Sequence, residues 1–131
     1  MKTGLTNGCF DLLHEGHRHL IREAQKQCDR LLVALNSDES VRALKGEGRP
    51  LDPLGHRAMK VLACLRDNDF VVPFEDEADL LMVIELNEPD VIFKGAEYEG
   101  QHVTGDELVP VVLIPMLGDY STTNEIARAR A

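Results

Sequence analysis

The sequence predicts an α/β protein: a doubly wound, five-stranded parallel sheet with helices on both faces. Three observations predict it. Short apolar runs alternate along the chain with segments of helical periodicity. Some runs are unbroken, as in Leu31-Leu32-Val33-Ala34-Leu35, which suits strands buried on both faces. The length of 131 residues fits one domain, 1–131, with one core.

Taken in order, Leu5 and its neighbours form the first strand, running into Thr6-Asn7-Gly8-Cys9-Phe10-Asp11. A helix follows from about His17 to Cys28, with Leu20, Ile21, Ala24 and Cys28 on one face. Leu31–Leu35 is the second strand. Asn36 then caps a short helix, with Glu39 in capping-box position. Lys45-Gly46-Glu47-Gly48-Arg49-Pro50 reads as a loop. Asp52-Pro53 starts a helix, a capping carboxylate followed by proline. Its buried stripe is Leu54, Ala58, Val61, Leu62 and Leu65. Phe70–Val72 is the third strand, Ala78–Asn87 a helix, Val91–Phe93 the fourth strand and Val111–Ile114 the fifth. Ser121 caps a final helix. Right-handed crossovers place the ligand crevice at the carboxyl ends of the strands, where strand order reverses.

The net charge is −9, and it is unevenly placed. Residues 1–66 hold 11 basic and 8 acidic side chains; residues 67–107 hold 13 acidic ones and a single cation, Lys94. A pI near 4.9 argues against a general nucleic-acid binder. An anionic small substrate would sit mostly against the first half. No apolar run reaches the roughly 18 residues a membrane span needs, and no leader pattern opens the chain. Three cysteines without a CxxC read as reduced thiols of a cytoplasmic protein.

The polar residues that follow strands carry the chemistry. Asn7, Gly8, Asp11, His14, Gly16 and His17 follow the first strand, and Lys45 and Arg49 the second. Lys94 and Gly95 follow the fourth, and Ser121, Thr122 and Thr123 the fifth. With helix N-termini and glycine-bearing loops, they form a site for a phosphorylated ligand. His14-Glu15-Gly16-His17 is the sharpest signal. Its histidines are three apart, unlike those of the zinc motif HExxH. Two imidazoles near a phosphate can donate to its non-bridging oxygens as charge builds up. The competing reading is two incidental surface histidines.

The stretch Thr6–His17 resembles the signature of the HxGH nucleotidyltransferase superfamily. The chain is further similar to the adenylyltransferase domain of bifunctional ADP-heptose synthases. Leu35-Asn36-Ser37-Asp38, Leu44–Pro50, Arg57-Ala58, Phe93-Lys94-Gly95 and Tyr120-Ser121-Thr122-Thr123 carry that similarity. Glycerol-3-phosphate cytidylyltransferases are similar over the same span. The resemblance implies a Rossmann-like fold. It also implies transfer of a nucleoside monophosphate from ATP to a sugar phosphate, heptose 1-phosphate, with release of pyrophosphate. CTP with glycerol 3-phosphate is the alternative, and a nucleotide sensor without turnover a third.

By that resemblance, His14 and His17 stabilise the reacting phosphate, and Lys45 reaches it and the acceptor phosphate as a mobile charge. Thr122 joins them, with Ser121 and Thr123 holding the outer phosphates; a plain capping box is the other reading of that segment. Thr6, Asn7, Gly8, Cys9, Phe10, Gly16, Lys94, Gly95 and Glu97 line the nucleotide pocket. Arg49 and Arg57 bind acceptor phosphate or pair with local carboxylates. Asp11 contributes to the acceptor site, holds its loop or assists magnesium. Mg²⁺ is expected to ride in on the triphosphate, without a protein metal site. The family commonly has Gly-Gly-Asp where this chain has Gly95-Ala96-Glu97. A homodimer is expected, and no nucleic-acid or membrane partner.

Overall fold

A computed structural model describes residues 1–116. The elements are β1 (Thr3–Gly8), α1 (Glu15–Gln25), β2 (Arg30–Asn36), α2 (Asp38–Lys45), α3 (Leu54–Leu62), β3 (Phe70–Phe74), α4 (Glu77–Asn87), β4 (Val91–Gly95) and β5 (Val111–Ile114). A 3₁₀ turn at Ala96–Tyr98 follows β4. The expected final helix, with Ser121, Thr122 and Thr123, lies outside the described residues.

All strand pairs are parallel, and the order is β3-β2-β1-β4-β5. The chain winds outward from β1 to β3, then crosses back to β4 on the other side of β1. A right-handed crossover puts its helix on the opposite face once the winding direction reverses. Accordingly α1 and α3 pack with Leu31, Val33, Leu35 and Phe93. Leu80 and Ile84 of α4 pack with Leu5, Leu32, Ala34 and Ile92 on the other face. The alternation along β2 sends odd residues to one cluster and even residues to the other, and Leu31 to Leu35 are all fully buried.

Several boundaries differ from the sequence expectation, each for a local reason. Helix α1 begins at Glu15 because His14 is its N-cap. It ends at Gln25, so Cys28 is buried just beyond it. The cap of α2 is Ser37, whose Oγ accepts from Ser40 N–H at 3.1 Å. Asn36 stays in β2 and donates from Nδ2 to Ser40 Oγ. Asp52 does not cap α3, because its carboxylate reaches Lys60 at 2.6 Å. The first N–H of α3, on Leu54, is instead taken by Asp38 Oδ1 at 2.9 Å. Leu62 is half exposed and leaves the predicted stripe. β3 continues through Pro73 to Phe74, which an edge strand tolerates. β1 and β4 likewise run on, so Thr6, Asn7, Gly8, Lys94 and Gly95 stand in the last strand turns.

Candidate active site

The β1–α1 turn builds the centre of the site. Phe10 and Leu12 hold left-handed backbone, at φ 50° and 54°. For side-chain-bearing residues that conformation costs about 1–2 kcal/mol each. Burial offsets it: the Phe10 ring is 4% exposed and packs in the α1-side core. The turn ends at His14, which closes a reciprocal cap. Gly16 N–H donates to His14 Nδ1 at 3.0 Å, and His14 N–H donates to His17 Nδ1 at 3.2 Å.

Each Nδ1 is therefore an acceptor, which puts the ring proton on Nε2. The two rings stack with centroids 3.8 Å apart, and Phe10 leans on His17 at 5.0 Å. Burial, then the neighbouring His14, Lys45 and Arg18, push the His17 pKa down to about 3. His17 is thus a neutral N–H donor at physiological pH.

Asp11 is fully buried and serves as the clamp of this turn. It accepts from Arg49 Nε at 2.8 Å, Leu51 N–H at 2.9 Å and Asp52 N–H at 2.8 Å. Burial alone would raise its pKa, but the two backbone N–H groups and the guanidinium hold it below the usual range. Asp11 thereby fixes the loop after α2 to the histidine turn. Of the two roles expected for Arg57, acceptor phosphate or a local carboxylate, the structure shows the pairing with a carboxylate, that of Asp38. It has no exposed surface and donates to Asp52 O, Cys9 O, Asn36 O and Asp38 Oδ1. Arg57 is a strut tying four segments together.

Lys45 is the last residue of α2, and Gly46 ends that helix at φ 96°, a conformation glycine adopts without strain. Lys45 is exposed and makes no ion pair among the described residues. Lys94 is 6% exposed. Its Nζ donates to Asn7 O at 2.9 Å and stands 4.7 Å over the Tyr98 ring. Burial lowers its pKa to about 8, against the opposing pull of Glu97. The Glu97 carboxylate folds back over Gly95, where a side chain would collide with it.

These residues meet in a cleft of about 760 Å³ at the carboxyl ends of the strands. Asn7, Gly8, Cys9, Phe10, His14, Gly16, His17, Lys45, Lys94, Gly95 and Glu97 all line it. Thr6, Asp11 and Arg57 are fully buried and do not line it, and Arg49 lines a smaller neighbouring cleft with Asp38 and Arg42. Among the described residues no cluster of His, Cys, Asp and Glu could hold a metal ion. No helix there is long and apolar enough to cross a membrane. The three cysteines are free thiols.

A family model described as cytidylyltransferase-like matches residues 5–113. The chain belongs to that family. This cytidylyltransferase-like chain is 45% identical over 135 residues to the bifunctional protein HldE of Rhodopseudomonas palustris strain TIE-1. The match covers 99% of the chain and 27% of that protein, so the chain spans about a quarter of its relative's length. Among solved structures, the lipopolysaccharide core biosynthesis protein from Thermoplasma volcanium GSS1 superposes with a TM-score of 0.63. It is 24% identical, over 92% of this chain and 99% of that one. A bifunctional NMN adenylyltransferase/ADP ribose pyrophosphatase from Francisella tularensis, complexed with AMP and a manganese ion, superposes with a TM-score of 0.66. It is 13% identical, over 97% of this chain and 41% of that one. At these identities the two structures speak to the fold.

The cytidylyltransferase-like cleft also contains residues that sequence reasoning missed. Asn36, Ser40, Phe74, Glu75, Asp76, Glu77 and Tyr98 line it. The signal for Phe74–Glu77 was available, since they follow the third strand as the other site segments follow theirs. Asn36 was expected as a helix cap, which hid its place in the wall, and Ser40 carried no sequence signal.

Proposed function

We propose that the chain is a nucleotidyltransferase. It transfers AMP from ATP to a sugar phosphate, heptose 1-phosphate, and releases pyrophosphate. The observation that carries this reading is the histidine pair in the cleft wall, with both Nδ1 atoms held by backbone N–H groups. With each Nδ1 accepting a backbone N–H, both rings carry their proton on Nε2 and neither Nδ1 is available as a base. Such a pair suits a reaction that needs charge stabilisation at a phosphate and no proton abstraction.

The acceptor phosphate has a second pKa near about 6 and is largely a dianion at pH 7. One of its oxygens forms a bond to the α-phosphorus of ATP, and the bond from that phosphorus to the bridging oxygen breaks. The electron pair leaves with pyrophosphate. His14 and His17 donate to the non-bridging oxygens as their charge grows. Lys45 neutralises the attacking and reacting phosphates, its helix end and following glycine giving it reach. Thr6–Phe10, Gly16, Lys94, Gly95 and Glu97 hold the nucleotide. Ser121, Thr122 and Thr123 hold the outer phosphates, with Thr122 acting on the reacting one. Asp11 and Arg49 support the acceptor side.

Asp11, the buried carboxylate of the β1–α1 turn, is committed to its three donors. Magnesium would accordingly be held by the phosphates and water, neutralising the triphosphate as it binds. The 45% identity to HldE over the whole chain supports the ATP branch over CTP with glycerol 3-phosphate.

Pyrophosphate release tests the proposal. ATP and CTP are each paired with heptose 1-phosphate, other sugar 1-phosphates and glycerol 3-phosphate. ATP with heptose 1-phosphate is expected to turn over fastest. Release only from CTP and glycerol 3-phosphate would replace the reading with a cytidylyltransferase. No release from any pair would favour a nucleotide sensor.

A further inference from the structure

On the sheet face covered by α4, the strands are apolar through the core. Leu5, Leu32, Ala34 and Ile92 there are all fully buried. One step nearer the carboxyl ends, the same face turns polar on three adjacent strands: Asn7 on β1, Asn36 on β2 and Lys94 on β4. The register assigns the face. Asn7 pairs with Ala34 and Asn36 pairs with Phe74, both members of the α4-side cluster. Lys94 lies over Tyr98, which packs against that cluster too. Asn7, Asn36, Lys94 and Tyr98, with Ser40, line the cleft.

These polar groups are deeply set. Asn36 is 6% and Ser40 9% exposed, and the two bond to each other at 2.9 Å. The Oδ1 of Asn7 is buried and has no hydrogen-bond partner among the described residues. A buried acceptor without a donor is rare, because its lost hydration is not repaid. Asn7 itself is half-buried and lines the cleft, so a turn of its carboxamide presents the covered oxygen to a ligand donor.

We propose that this polar floor is the subsite for the hydroxyl-bearing part of the acceptor, and that Asn7 Oδ1 accepts a hydrogen bond from one of its hydroxyl groups. The proposal rests on the transfer reading above and names the specificity-determining side chain within it. The backbone of Asn7 stays with the nucleotide side through its carbonyl, which accepts from Lys94. Its side chain serves the acceptor. Carboxamides and a serine hydroxyl offer donors and acceptors together, as neutral hydroxyls require. Glu75, Asp76 and Glu77 line the same cleft and favour an uncharged polyol tail over an anionic one.

The test is Asn7→Leu, which keeps the size and removes the polar atoms. Calorimetry measures binding of heptose 1-phosphate, inorganic phosphate and ATP, each alone. The wild type is expected to bind heptose 1-phosphate at least about tenfold more tightly than inorganic phosphate. The variant should lose most of that preference, and any loss of ATP affinity should be at least about tenfold smaller. Its Tm should rise, because leucine replaces an unpartnered buried acceptor. An unchanged preference overturns the proposal, as does a loss confined to ATP. Asn7→Ala with the same readout stands in should the leucine fail to fold. Pyrophosphate release by the wild type is measured separately. Intact binding preference without turnover sinks the transfer reading and leaves the subsite. Turnover without any preference sinks the subsite alone.

Discussion

Replacing Asp11 by alanine removes one acceptor from three donors at once: Arg49 Nε, Leu51 N–H and Asp52 N–H. The carboxylate is fully buried and its guanidinium partner is 15% exposed, so water reaches the pair poorly. Breaking a buried, hydrogen-bonded charge pair from one side costs about 3–5 kcal/mol. For a chain of this length, a loss of that size lowers Tm by roughly 10–18 °C. Thermal and urea denaturation followed by circular dichroism measure it. Asp11→Asn keeps one acceptor oxygen and turns an N–H₂ toward a donor, so about half the loss is expected. Arg49→Ala in both backgrounds closes a double-mutant cycle with a coupling of roughly 1.5–3 kcal/mol. The folded pKa of Asp11 lies below the unfolded one. Its contribution is therefore fully present above the unfolded pKa, near about 4, and is lost as pH falls through the lower folded value. A Tm drop under about 3 °C for Asp11→Ala, or a coupling near zero, would refute the clamp.

His14→Ala and His17→Ala should each lower kcat by about 10²–10³ with little change in nucleotide Kd, as for loss of one transition-state donor; unchanged kcat in both variants removes the histidine assignment. Lys94, with a pKa near 8, is charged below that pH and neutral above it. The KM for ATP should therefore rise above pH 8, and Lys94→Arg should move that limb upward; a flat profile to pH 9.5 contradicts the role. The chain should sediment as a dimer at working concentration, and monomer alone overturns that expectation.

Much of the fold was legible because its cues are local. The unbroken run at Leu31–Leu35 announced a strand buried on both faces, and the helix stripes announced what covers it. The positions following strands announced where the cleft would lie. Caps were read less well. Asn36 and Asp52 are good capping residues in isolation, yet the neighbouring Ser37 caps α2 and the distant Asp38 accepts the first N–H of α3.

The sequence by itself determined the alternating elements, the spacing of His14 and His17, and the scarcity of cations after Arg66. Each follows from neighbours in the chain and from periodicity. Only the tertiary structure decided that Arg57 ties four segments together, and that Asp11 holds residues about 40 positions away. It also decided that Asn7, Asn36 and Lys94 share one face. That outcome depends on strand order and register, where a shift of one residue would turn a side chain to the other side of the sheet.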